Sequence, residues 1–268
     1  MCGINGIVSI DKSLDLHSRI NKRNDLIIHR GPDDHGCFVD NEKIALGMRR
    51  LSIIDLKKGE QPIFNSDKSL VIVFNGEIYN FLKIKKNLIN QGVLFNTNSD
   101  TEVVLKSYEI YGEDALKKLN GMFAFSILDK KNKKILISRD RFGEKPLYYT
   151  KCGNEFIWSS ELKSLVDQKP ELKIISKNSL HQYLSLSYIP APFTIYKDIF
   201  KLEPGCNLIL DTETLSYNIE KYWDIEPQKK LYGSSDYHKA KNHLNDLVFD
   251  SVEKRMSSDV PIGVFLSG

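Results

Sequence analysis

The sequence predicts an α+β fold on three observations. Apolar residues alternate in some short segments and recur at helical spacing in others. The two kinds of segment are mixed without the regular alternation of a doubly wound sheet. The middle of the chain is a run of short strands divided by Lys, Asn and Gly turns. At 268 residues the chain exceeds a typical single domain, so one large domain or one domain plus part of another is expected.

Residues 4–10 (INGIVSI) alternate like a strand, and Leu16, Ile20, Ile27 and Ile28 recur at roughly helical spacing before the Arg30-Gly31-Pro32 stop. Ser69 to Phe74 is a β-rich run ending at Asn75-Gly76, a dipeptide that by itself signals a hairpin turn. A helix is predicted over 81–91 from Phe81, Ile84 and Leu88, with Gly92 as its stop. Ser99-Asp100-Thr101-Glu102 fits a capping box opening a helix that runs through Tyr111 and closes at Gly112. Met122–Leu128, Lys134–Ser138, Leu147–Thr150 and Glu155–Ser159 read as an antiparallel meander. A helix over 178–186 and a hairpin from 207–210 and 215–219 follow.

The polar stretch 228–235, with Gly233, reads as a linker to a long helix whose apolar face carries Leu244, Leu247, Val248, Val252 and Met256. Val260–Leu266 then reads as a buried strand ending in Ser267-Gly268, the expected opening of a further domain.

Hydrophobic content of 41% and charged content of 27% are ordinary for a soluble globular protein. The net charge of +3 arises from 38 basic and 35 acidic residues that are largely interspersed, so no electrostatic footprint for nucleic acid is expected. Cys2, Cys37, Cys152 and Cys206 are scattered without zinc-like spacing, so neither a metal site nor a disulfide framework is expected. With no membrane-length apolar run and no signal-peptide core, the expected location is the cytoplasm.

Cys2 is a candidate nucleophile, although its position alone reads equally as a small, half-buried residue opening a strand. If Met1 is removed, its thiol and a free α-amine share one residue. The ordinary pKa values, about 8.5 and 7.7–8.0, let the amine take the thiol proton near neutrality. His29 offers a Cys/His alternative, but the amine already supplies a base, and a structural role is expected for it.

Six motifs occur in order: Met1-Cys2-Gly3-Ile4, His29-Arg30-Gly31-Pro32-Asp33, Arg50-Leu51-Ser52-Ile53, Phe74-Asn75-Gly76-Glu77-Ile78-Tyr79-Asn80, Ser99-Asp100-Thr101-Glu102 and Gly121-Met122-Phe123-Ala124-Phe125. Their order and spacing resemble the class II glutamine amidotransferases. Arg139-Asp140-Arg141-Phe142-Gly143-Glu144-Lys145-Pro146-Leu147-Tyr148-Tyr149, Ser159-Ser160-Glu161-Leu162-Lys163 and the ending 258–268 (SDVPIGVFLSG) resemble the glutamine-hydrolysing asparagine synthetases in particular.

The resemblance implies a four-layer αββα N-terminal-nucleophile hydrolase domain over about residues 2–225. A linker at 226–235 would follow, and 236–268 would be the first helix and strand of an α/β ATP-pyrophosphatase-type synthetase domain, cut at its start. It implies Cys2 as nucleophile, with the Asn75 amide and the Gly76 N–H as oxyanion donors. Arg50 would bind the glutamine α-carboxylate, Asp100 the α-ammonium, and Leu51, Ser52, Ile53, Ile54 and Glu77 would line the pocket. Arg49 is chemically equivalent, but Arg50 is the one that precedes Leu51-Ser52-Ile53. Leu266, Ser267 and Gly268 would belong to a partial ATP site.

The implied partners are glutamine and aspartate, with ATP and Mg²⁺ as cofactors of the intact protein; no membrane or nucleic acid is implied, and a homodimer is left open. The chain alone would be a glutaminase only. Two alternatives stand beside this: a related amidotransferase with a non-aspartate acceptor, and a regulatory domain that no longer hydrolyses glutamine.

Overall fold

Two six-stranded antiparallel sheets pack face to face, and helices cover their outer surfaces; the computed structural model describes residues 2–226, 232–233 and 236–266. The first sheet holds β1 (Gly3–Ser9), β2 (Asp34–Asp40), β3 (Ile44–Arg50), β8 (Tyr148–Cys152), β9 (Glu155–Ser159) and β10 (Phe200–Lys201), in the order β10-β8-β9-β1-β3-β2. The second holds β4 (Ile63–Phe64), β5 (Leu70–Ile78), β6 (Gly121–Asp129), β7 (Lys134–Arg139), β11 (Cys206–Asp211) and β12 (Tyr217–Lys221), in the order β12-β11-β7-β6-β5-β4.

Strand alternation builds the layers. Ile4, Val8, Leu46, Met48 and Trp158 of the first sheet meet Val71, Val73, Ala124, Ile135 and Ile137 of the second in the inner core. The opposite face of the first sheet packs Ile7, Ala45 and Ile157 against α1 (Leu16–Leu26) and α5 (Leu162–Val166). That of the second packs Ile72, Phe74, Phe123 and Phe125 against α2 (Phe81–Asn90), α3 (Asp100–Tyr111) and α4 (Ala115–Lys118). With both faces covered, β1 and β3 are buried along their whole length. Gly6 faces the Trp158 ring so closely that an added Cβ would lie 2.0 Å from it.

Three expectations change. The four mid-chain strands do not form one meander: β6–β7 is a hairpin in the second sheet and β8–β9 a hairpin in the first, so the chain changes sheets between Arg139 and Tyr148. The crossing is organised by Asp140, whose carboxylate accepts from the amides of Phe123, Phe142, Glu144 and Lys145. Arg139 donates to the carbonyls of Gly143, Lys145 and Leu202.

Asn75-Gly76 is not a turn. β5 runs through it to Ile78, paired residue for residue with β6, because Gly76 sits where a Cβ would come within 2.3 Å of the Met122 carbonyl oxygen.

Val260–Leu266 is not a strand. No described strand pairs with it, and Val264, Phe265 and Leu266 are exposed, so nothing there satisfies a ladder or covers the apolar side chains. The helix predicted over 178–186 forms as α6 (Lys177–Leu186), and the helix before 260–266, α7 (Tyr237–Arg255), forms as predicted, but its apolar face is exposed too. Ser267 and Gly268 lie outside the described residues, as does most of the predicted linker. Among the described residues no helix is long and apolar enough to cross a membrane.

Candidate active site

A cleft opens at the ends of β1, β3 and β5 and the start of α3. Its wall includes Cys2, Arg50, Leu51, Ile53, Ile54, Asn75, Gly76, Glu77 and Asp100, all named from the sequence. Ser52 is not part of that wall; its amide turns away to donate to Asp33 Oδ2 at 2.8 Å. Leu266 is 93% exposed and far from forming a pocket wall.

Cys2 directly precedes β1. Its Sγ lies 3.4 Å from the Leu51 amide, which donates to it, and 3.6 Å from the Leu51 carbonyl. Burial pushes the thiol pKa up, and the Leu51 amide partly offsets this. The Cys2 carbonyl accepts from Arg30 Nε at 2.9 Å, and Arg30 is held by Glu161, which also accepts from His29 Nε2 at 2.7 Å. His29 therefore braces the segment that carries Cys2 and does not line the cleft.

Alternation along β3 decides between the two arginines, since neighbouring side chains face opposite sides of a sheet. Arg49 points to α1, donating to Asn24 O at 3.2 Å and to Asp25 Oδ1 at 2.5 Å. Arg50 points into the cleft, where its Nη2 donates to the carbonyls of Ile54 at 3.1 Å and Asp55 at 2.8 Å. A side chain on Gly59 would strike that guanidinium, with an added Cβ 2.3 Å from Nη2.

Asn75 is 1% exposed, and its Nδ2 has no hydrogen-bond partner among the described residues. Nearly all buried polar groups are paired, so an orphaned amide donor in a cleft wall indicates a partner that arrives from outside. The strand holding it is pinned by Gln61, which accepts from the Phe74 amide at 2.7 Å and donates to the Phe74 carbonyl at 3.2 Å.

Asp100 is buried at the first turn of α3, and burial pushes its pKa up to about 6 against the opposing pull of the Ile78, Thr101 and own-residue amides and the Ser99 hydroxyl. Ile78 N donates to its Oδ2 at 3.0 Å. Ser99 caps the helix through the Thr101 amide as the sequence suggests. Glu102, however, reaches past the box to Asn96 and Thr97, so the reciprocal half of a capping box is absent. Glu77 is pushed up to about 7, by burial first and by Asp100 second, with Lys145 and Arg255 opposing.

Gln61, Met122 and Lys145 also line the cleft and were not singled out from the sequence. Lys145 reaches the site because Asp140 folds the crossing loop, and burial lowers its pKa. Only its place in a long motif marked it in the sequence, since the crossing between sheets leaves no periodic signal.

Among the described residues there is no group of three or more His, Cys, Asp or Glu side chains that could hold a metal ion. What the cleft assembles is a thiol, an orphaned amide donor, a guanidinium and a buried carboxylate.

A family model described as a glutamine amidotransferase domain matches residues 1–223. The putative glutamine-hydrolyzing asparagine synthetase 2 of Methanocaldococcus jannaschii is 44% identical over 288 residues, covering 100% of this chain and 55% of that protein. The glutamine-hydrolyzing asparagine synthetase 1 of Bacillus subtilis is 39% identical over 272 residues, covering 100% of this chain and 42% of that protein. The chain thus spans about half the length of these relatives. The solved glutamine phosphoribosylpyrophosphate amidotransferase of B. subtilis superposes with a TM-score of 0.59 at 20% identity over 83% of this chain and 49% of its own, a likeness of fold alone.

Proposed function

This chain belongs to the glutamine amidotransferase domain family, and from that premise we propose that its cleft hydrolyses glutamine with Cys2 as the nucleophile. The observation that carries the reading is the buried Asn75 amide, unpartnered among the described residues and in the same cleft wall as the thiol.

With Met1 removed, the α-amine of Cys2 takes the thiol proton. A base on the same residue suits a thiol whose pKa burial has raised. The thiolate adds to the side-chain carbonyl carbon of glutamine, and the oxyanion that forms is met by Asn75 Nδ2 and the Gly76 N–H. Collapse breaks the C–N bond, the amine returns its proton to the leaving nitrogen, and ammonia departs from a glutamyl thioester. Water, deprotonated by the same amine, adds to the thioester and releases glutamate and the thiol.

Arg50 pairs with the α-carboxylate and Asp100, as a carboxylate, with the α-ammonium, so the two ends of the amino acid are read by opposite charges. Leu51, Ile53, Ile54 and Glu77 complete the wall.

The relatives named asparagine synthetases support a wider proposal. Residues 2–225 act as the glutaminase, 226–235 as a linker, and 236–268 as the opening of a synthetase domain in which the ammonia amidates activated aspartate in the cytoplasm. ATP and Mg²⁺ belong to that second activity. The described residues do not fit them, since Leu266 is exposed and no metal-binding group is present among those residues, so no nucleotide step is assigned to this chain.

The test incubates the full chain with glutamine, follows glutamate release beside Cys2→Ala, and checks Met1 removal by intact mass. Release by the wild type and none by Cys2→Ala is expected; equal rates would sink the nucleophile assignment.

A further inference from the structure

The segment that follows α7 returns to the glutamine cleft and grips it. Asp259 N donates to the Ile53 carbonyl at 3.0 Å, and Asp259 Oδ2 accepts from the Asp55 amide at 2.8 Å. These are the only contacts of that segment with the cleft loop among the hydrogen bonds of the described residues. At the end of α7, the Arg255 guanidinium sits 4.6 Å from the centroid of the Tyr79 ring, just beyond β5.

The Ile53–Asp55 loop is the part of the wall that holds Arg50. The carbonyls of Ile54 and Asp55 both accept from Arg50 Nη2. Asp55 has φ +50°, a left-handed backbone that a non-glycine residue keeps only when its surroundings fix it. Its carbonyl accepts from the Gly59 amide at 2.9 Å as well as from Arg50, its carboxylate accepts from the amides of Asn98 at 2.7 Å and Lys58 at 3.2 Å, and its own amide has Asp259 as acceptor. Asn98 leads into Ser99 and Asp100, so one aspartate ties the arginine wall to the carboxylate wall, and Asp259 ties that aspartate to the segment after α7.

We infer that Asp259 is a positioning residue for glutamine binding: it fixes the Ile53–Asp55 loop in the shape that aims Arg50 into the cleft, so a residue outside the glutaminase layers sets the affinity of the glutaminase. This rests on the reading of the cleft as a glutamine site. It also gives the region after α7 a handle on the glutamine clamp, since any movement of that segment moves the acceptor of the Asp55 amide.

Glutamine binding by calorimetry to Cys2→Ala, Cys2→Ala/Asp259→Ala and Cys2→Ala/Asp259→Asn, all in the full chain, separates binding from turnover. Loss of the charged acceptor is expected to weaken binding about tenfold in the Asp259→Ala background. Asp259→Asn, which keeps a carbonyl acceptor, is expected within about threefold of the parent. In the Cys2-containing chain, Asp259→Ala should raise KM and leave kcat within about twofold. Equal Kd for Ala and parent overturns the inference, as does a fall in kcat that Asp259→Asn fails to rescue. Glutamine binding without glutamate release from the wild type refutes the proposed hydrolysis and leaves the positioning role standing; no binding to Cys2→Ala refutes both.

Discussion

Asn75→Ala separates function from stability. Asn75 Nδ2 is buried and has no hydrogen-bond partner among the described residues, so truncation deletes no hydrogen bond made by that nitrogen to them. It removes a buried donor whose unsatisfied state costs about 1–3 kcal/mol. Against this stands the lost packing of a truncated side chain, offset because the residue forms the wall of a cleft already open on one side.

The two effects are of similar size, so stability is expected within about 1 kcal/mol of wild type, or a Tm change within about 2–4 °C for a chain of this size. Turnover behaves differently. The donor is used where charge develops, so kcat is expected to fall about 10² to 10³-fold, about 2.7–4 kcal/mol, with KM for glutamine changed little. Glutamate release and thermal unfolding measured on one preparation decide it. A kcat within threefold of wild type refutes the oxyanion role. A Tm loss of ten degrees or more shows instead that the amide is paired within the fold.

Two further predictions use the same cleft. Arg50→Ala is expected to raise KM for glutamine by roughly 10- to 100-fold, the worth of a lost charge-assisted contact of about 1.5–3 kcal/mol. Arg49→Ala, which faces α1, is expected to lower Tm with KM nearly unchanged; steady-state kinetics and thermal unfolding of the pair test the strand alternation directly. The pH profile of kcat/KM is expected to rise through about 6, because Asp100 must be ionised to pair with the substrate ammonium and burial holds its pKa near 6, and to rise again as the Cys2 amine, ordinarily about 7.7–8.0, loses its proton and can act as base. The sign for stability is opposite. Asp100 binds its proton more tightly folded than at its ordinary value of 3.8, so its contribution favours the folded state at low pH and is lost as pH rises from about 4 to 6. A flat profile between pH 5 and 8 would remove Asp100 from substrate binding.

The sequence by itself determined most of the elements and the chemical inventory of the cleft. Periodicity located β1, α2 and the β11–β12 hairpin, and the cap signal at Ser99 located α3, because each mark lies within a few consecutive residues of the one-dimensional chain. The motifs named Cys2, Arg50, Asn75, Gly76 and Asp100, and all five line one cleft. Ser52 stands outside that wall for a local reason that no motif encodes: its amide is taken by Asp33.

Tertiary structure decided what depends on partners distant in the chain. Asn75-Gly76 reads as a turn until β6 pairs with it, and the four mid-chain strands read as one meander until Asp140 gathers four amides and sends the chain to the other sheet. Arg49 and Arg50 are equivalent as residues, and only the side of the sheet each faces tells them apart. The orphaned amide of Asn75, the raised carboxyl of Asp100 and the grip of Asp259 on Asp55 are consequences of burial and approach. Composition and spacing specify which groups the chain owns, whereas desolvation and pairing depend on which groups the folded sheets bring within a few ångströms.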